Sequence, residues 1–294
     1  MLALVGAAAV VAPASDARAC AVCECGDPTL TTMGLGKPFA GRLRLSGELR
    51  HRTDTIGVSG VDELRLSERR LDLAVAYLPR WWLSLSATVP LVHVDVTHVN
   101  GARERALGLG DADLRARTYV WRDRAFSPRH LVGLDARVKL PTGPELDTPV
   151  GTDLFRIESQ PGTGSVDAAV GASYGYFRDP WSAYASALAV LPGTGYRDVR
   201  AGRSLRATVA AQFQPSPRFG YRLGVDARWD AVTTEAGEVE DDTGGFIAFV
   251  TPQVIYSPIT DVVVHAYVRI PAVNALYGRH DEGAIVAVGV TRDL

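Results

Sequence analysis

Two groups of side chains in this chain have the types and spacing to do chemistry. The first is Cys20, Cys23 and Cys25 in the stretch CAVCECG, which holds every cysteine of the 294 residues. In an oxidising compartment the C-x-x-C pair could close a disulfide and leave one thiol over. Three thiolates this close together could instead hold a soft ion such as Cu(I) or Zn²⁺. A zinc site wants a fourth ligand and no His lies nearby, while the lack of His after Cys23 excludes c-type haem attachment. A lipid anchor on Cys20 is the third reading, and no cofactor is otherwise required. The second group lies in DADLRARTYVW (111–121) and LVGLDARVKL (131–140), where Asp113, Arg115 and Arg117 face Asp135, Arg137 and Lys139. These residues alternate with apolar ones. They therefore share one face of an extended chain, either as a ladder of cross-strand ion pairs or as the cationic side of a polar constriction that selects solutes by charge.

The elements that must position this charge repeat one pattern. In FGYRLGVDARWD (219–230), Phe219, Tyr221, Leu223, Val225, Ala227 and Trp229 occupy one parity, and Arg222, Asp226, Arg228 and Asp230 the other. Period two is the signature of a β-strand with one apolar and one polar face. The same alternation, in about twelve segments of roughly nine to eleven residues, runs from RLRLSGELR (42–50) to GAIVAVGVTRDL (283–294). It adds Arg44, Arg50, Arg70, Arg206 and Arg269 to the polar face, with Glu48, Glu68, Asp72, Asp167 and Asp226 as acidic partners. After Pro90 the polar parity passes to His93 and Asp95, which predicts a bulge beside the proline. No segment keeps a helical period over three turns.

Segments of this length match tilted strands crossing a bilayer, whereas strands of soluble domains average about five to six residues. The connections alternate as well. LPR (78–80), FRDP (177–180), PSPR (215–218) and SPIT (257–260) are tight, and 97–110, 141–164, 192–203, 231–245 and 271–282 are long and rich in Gly, Thr, Asp and Glu. The reading is a closed antiparallel transmembrane β-barrel of about twelve strands, with short periplasmic turns and long extracellular loops. Tyr77, Trp81, Tyr176, Trp181, Phe213, Phe219, Trp229 and Tyr256 sit at segment ends, where an aromatic girdle belongs.

Composition limits the alternatives. The net charge of −2 asks for no nucleic acid, and every basic residue except Lys37 and Lys139 is arginine, a bias of usage more than a binding signal. The apolar LALVGAAAVVAPA (2–14), followed by Ala17 and Ala19, fits a signal peptide over 1–19. That leaves 20–40 as a periplasmic segment carrying the cysteines and 41–294 as the barrel. Beyond the leader no apolar run approaches the ~20 residues of a membrane helix.

GLGDADLRARTYVW (108–121), VKLPTGP (138–144) and QPGTGSVDAAVGASYGY (160–176) resemble the recurrent phrases of a family of outer-membrane transporters, many of them grouped with meta-pathway phenol degradation. The resemblance covers most of 40–294. It implies a barrel passing small, often hydrophobic or aromatic solutes, with the outer-membrane bilayer and those solutes as partners. Barrels favour a terminal aromatic, and VTRDL departs from this. Two other functions stay in view: a membrane-anchored metal or redox module built on the cysteines, and a lipid hydrolase. The hydrolase is disfavoured, because no G-x-S-x-G occurs and no His is followed two residues later by Ser. Replacing Cys20, Cys23 and Cys25 by Ser is expected to abolish any bound copper or zinc, read by elemental analysis, and to leave single-channel conductance unchanged.

Overall fold

The computed structural model describes residues 40–125, 127–147 and 159–294; the predicted leader and the cysteine motif lie outside them. The chain forms β1 (Leu43–Ile56), β2 (Leu64–Arg80), β3 (Leu83–His98), β4 (Arg103–Leu109), β5 (Ala112–Arg122), β6 (His130–Leu140), β7 (Asp167–Arg178), β8 (Trp181–Leu191) and β9 (Val199–Arg200). There follow β10 (Ser204–Phe213), β11 (Phe219–Asp230), β12 (Thr233–Glu235), β13 (Glu238–Glu240), β14 (Gly245–Tyr256), β15 (Val262–Leu276), β16 (His280–Glu282) and β17 (Ile285–Asp293).

Each wall strand pairs antiparallel with its sequence neighbours, and β1 pairs with both β2 and β17, so the wall closes as a twelve-strand barrel. β4 and β5 both pair with β3 and make one wall strand interrupted at Gly110–Asp111. β9, β12 and β13 form a small separate sheet within the long-loop rim, and β16 extends the wall beside β1. Closure leaves no strand edge, which is the condition for a sheet to stand in hydrocarbon.

The wall is inside-out relative to a soluble protein. On β11, Phe219, Tyr221, Leu223, Val225 and Trp229 are exposed, while Arg222 and Arg228 are buried. On β1, Leu45 and Leu49 face outward, and Glu48, Arg50, Arg52 and Asp54 face inward. An exterior of leucine, valine and aromatic side chains around a charged interior is the polarity of an outer-membrane barrel, and that is where this chain resides. The aromatic girdle forms at the short-turn rim, where Trp181 meets Phe213 at 4.7 Å and Phe219 meets Tyr256 at 4.8 Å between ring centroids.

Three expectations need correction. No bulge lies at Pro90: β2 and β3 keep one register from Leu64↔His98 to Tyr77↔Leu85. The faces exchange polarity instead. Beyond Leu91 the strands rise out of the bilayer into water, so His93 and Asp95 point outward, while Val92, Val94 and Val96 turn inward against Ile56, Leu66 and Ala106. The same exchange hid the ends of the strands. β1, β2 and β3 are 14, 17 and 16 residues long, and the expected loops 97–110 and 271–282 contain β4 and most of the tip of β15 with β16. Likewise the turn expected at 78–80 belongs to β2, and the chain reverses at Trp81–Trp82.

A lipid-facing wall penalises charge by depth. Val209→Arg, at mid-strand on the exposed face of β10, should cost about 2–4 kcal/mol, and Leu205→Arg near the interface about 0–1 kcal/mol, by denaturant unfolding in lipid vesicles. Equal costs at the two depths would contradict a bilayer around this face.

Candidate functional site

The six residues of the predicted charge cluster all lie on the inward face of β5 and β6, and the structure brings them together. Direct cross-strand partners are Asp113↔Lys139, Arg115↔Arg137 and Arg117↔Asp135. The middle pair sets two arginines opposite each other, which alone would be repulsive. The carboxylates resolve this diagonally. Asp135 accepts from Arg115 at 2.7 Å and Arg117 at 2.8 Å, and Asp113 accepts from Arg137. Arg115, Arg117, Asp135 and Lys139 are all buried. Arg117 also reaches across β6 and β7 to donate to the Tyr184 hydroxyl at 3.4 Å, so the cluster projects into the lumen and does not lie flat on the wall.

Lys139 ends this ladder and belongs to a second assembly. Its ammonium lies 2.7 Å from Asp167 and 3.4 Å from Asp111, and it donates to Thr163. Asp111, at the break between β4 and β5, accepts the backbone N–H of Gly143 at 3.2 Å, and the N–H and hydroxyl of Thr163 at 2.8 Å each. Thr142 closes the other side, accepting the N–H of Ala112 at 2.8 Å and donating to the Gly110 carbonyl at 3.0 Å. Gly143 and Gly162 must be glycine here. A Cβ on Gly143 would lie 2.9 Å from the Gly162 Cα, and one on Gly162 would lie 2.6 Å from Asp111 Oδ1. Further out, Gln160 clasps Leu146 through both amide atoms at 2.8 and 3.0 Å, and Leu146 packs on the apolar cluster around Val94. The three phrases GLGDAD, KLPTGP and QPGTGSVD, far apart in sequence, thus meet around one carboxylate that seats both ends of the connection between β6 and β7. Asp111 was not singled out among the charged residues of the sequence; its signal was the glycine-rich phrasing on either side.

Opposite this face the lumen carries further charge. Glu48 accepts from His265 Nε2 and the Tyr267 hydroxyl at 2.8 Å each. The His265 ring reaches over β17 because Gly289 leaves the space: a Cβ there would be 2.3 Å from its ring. Arg50 and Arg70 share Asp72 at 2.6 and 2.8 Å. Asp226 accepts from Thr208 at 2.7 Å and Thr251 at 2.6 Å, with Arg269 at 3.6 Å. Above them, near the long-loop rim, a cavity of about 70 Å³ is bounded by Lys139, Asp167, Arg206, Arg228, Asp230 and His280.

At that rim, above the bilayer, burial sets the protonation of several groups. It raises the Asp54 carboxyl despite Arg52, and holds the His280 imidazole below its ordinary value. Glu282 is also buried, but Arg228 donates to it and overrides the cost of burial, bringing it down to about 2. Among the described residues no group of His, Cys, Asp and Glu is arranged to hold a metal ion.

Comparison of the sequence with known families and with curated proteins finds no match. Solved structures do match. An outer membrane channel from Pseudomonas putida F1 superposes with a TM-score of 0.68 over 87% of this chain and 96% of its own, at 16% identity. The translocator domain of the autotransporter NalP from Neisseria meningitidis does so with a TM-score of 0.50 over 90% and 92%, at 11% identity. At these identities the likeness is one of fold, the closed outer-membrane barrel.

Asp111→Asn keeps the shape of the anchor but removes its charge, and should weaken the seat of the β6–β7 connection by about 1.5–3 kcal/mol. Hydrogen exchange in vesicles should then rise at Gly143 and Thr163, with the barrel still folded on a heat-modifiability gel. Unchanged protection at both residues would contradict the anchoring role.

Proposed function

We propose that this chain is an outer-membrane channel for small solutes, including hydrophobic and aromatic ones, and not an enzyme. The observation that carries this reading is the double exchange of polarity along the wall. Within the bilayer a charged lumen lies inside an apolar exterior; above it an apolar cluster, from Ile56 to Ala106 with Leu146 against it, stands at the inner face of the mouth. A solute moving inward would meet the ordered ion pairs of the lumen below this cluster, whose own side chains are buried. Conduction through such an interior rests on charges fixed by partners, which give selectivity without trapping the solute. The phrase resemblance to outer-membrane transporters points the same way.

In this reading Arg115, Arg117, Arg137 and Lys139 set the charge of one side of the passage, with Asp111, Asp113, Asp135 and Asp167 matching them in number. The expected anion preference is therefore modest. In planar bilayers, replacing the four cations by Gln should move the ion preference toward cations, and vesicles bearing the unaltered protein should take up a monoaromatic such as toluene faster than empty ones. A folded barrel that neither conducts ions nor speeds uptake would overturn the proposal. If the fourfold variant failed to fold, Arg115→Lys alone, which keeps charge but loses the fork to Asp135, would test conduction in its place.

A further inference from the structure

The outer surface of the barrel carries a row of basic residues that the lumen does not explain. His51 of β1, Arg69 of β2 and His93 of β3 are direct cross-strand partners on the outward face. His51 and Arg69 are exposed and His93 is half-buried. One step down the same strands, on the same face, stand Leu49, Leu71 and Leu91 at the top of the apolar band. The row therefore sits at the height where hydrocarbon gives way to headgroups. Arg69 makes no ion pair among the described residues. The outward carboxylate nearby, Asp95, is shared by Arg103 at 3.4 Å and Arg105 at 3.0 Å. On the inward face the next residue, Arg70, shares Asp72 with Arg50, so the chain pairs the inward arginine of this level with a carboxylate and gives Arg69 none. The Arg69 guanidinium thus stands between two imidazoles with no carboxylate of the described chain paired to it. The arrangement is one-sided: at the corresponding ends of other strands the outward residues are Leu191, Leu205, Trp229 and Phe246.

We propose that the row His51–Arg69–His93 binds phosphate groups of the phosphorylated glycolipid in the outer leaflet. The guanidinium of Arg69 offers a planar fork matched to phosphate oxygens, two imidazoles flank it, and the acyl chains would lie down the leucine faces below. Arg103 and Arg105, one tier higher, are held by Asp95 and form the rim of the site. The proposal depends on the barrel's orientation and not on conduction, because the row points away from the lumen.

The test uses the full chain in detergent micelles with bisphosphorylated lipid A as the probe, read by native mass spectrometry and by thermal shift. Lipid A should bind and raise the unfolding temperature, and Arg69→Gln should weaken binding about tenfold, the loss of one charge-assisted contact. Adding His51→Gln and His93→Gln should remove the remainder, while dephosphorylated lipid A, phosphatidylglycerol and inorganic phosphate should bind no better than lipid A does to Arg69→Gln. Equal retention of lipid A by the threefold variant would overturn the proposal. So would phosphatidylglycerol or inorganic phosphate binding as tightly as lipid A. Conductance of Arg69→Gln should match that of the unaltered protein, so loss of channel activity and loss of lipid binding are read separately.

Discussion

In hydrocarbon an unpaired peptide group has no water to bond to, and the pairing of β1 with β17 is the contact on which the rest of this molecule depends. It joins the first wall strand to the last over eight residue pairs, from Arg44↔Asp293 to His51↔Val286, with the Arg44 guanidinium 2.5 Å from the Asp293 carboxylate. Without it the sheet would present two bare edges to lipid, each unsatisfied group costing several kcal/mol. With it, every wall strand has two neighbours, one face turned outward to lipid and one enclosed. The alternation of side chains then decides what the enclosure contains, and in this chain it contains charge.

That alternation is why the barrel could be read from residues alone. Twelve wall strands, their apolar outward parity and the short-turn rim follow from period two and from where proline and tryptophan fall. Arg222, Asp226 and Arg228 occupy the interior that the stretch FGYRLGVDARWD implies. The reading failed where it assumed one environment along a whole strand. At Leu91 the surroundings of β3 change from lipid to water, so the side that must be apolar changes too, and the sequence pattern shifts by one residue although the backbone does not. A bulge and a change of solvent leave the same trace in a one-dimensional pattern. Only the register separates them.

The candidate site was half legible. Parity placed Arg115, Arg117, Asp135, Arg137 and Lys139 on one surface, because adjacent strands with known faces bring their charges together. Which carboxylate serves which cation depends on strand stagger and side-chain reach, and these made Asp135 the partner of two arginines and turned Arg137 to Asp113. His265 and Tyr267 on Glu48 were invisible for a similar reason: the contact skips a strand and exists because Gly289 has no side chain in the way.

Asp111 shows how the two levels join. It sits where the wall strand breaks, and the break frees its carboxylate to accept from the loop side while staying within 3.4 Å of Lys139. Lys139 is therefore both the last cation of the lumen ladder and part of the seat of the β6–β7 connection. In such an arrangement the charge on one side of the passage and the positions of Gly143 and Thr163, near the two ends of the β6–β7 connection, cannot be varied independently. Neutralising Lys139 would leave Asp111 and Asp167 facing each other without a counter-ion, and the repulsion would act on Thr163, which both Lys139 and Asp111 hold. Glycine at 143 and 162 is the complementary requirement, since any side chain there would push the loop backbone off the carboxylate that charge has placed. The glycine-rich phrases GLGDAD, KLPTGP and QPGTGSVD are thus the packing surface of a single buried anion.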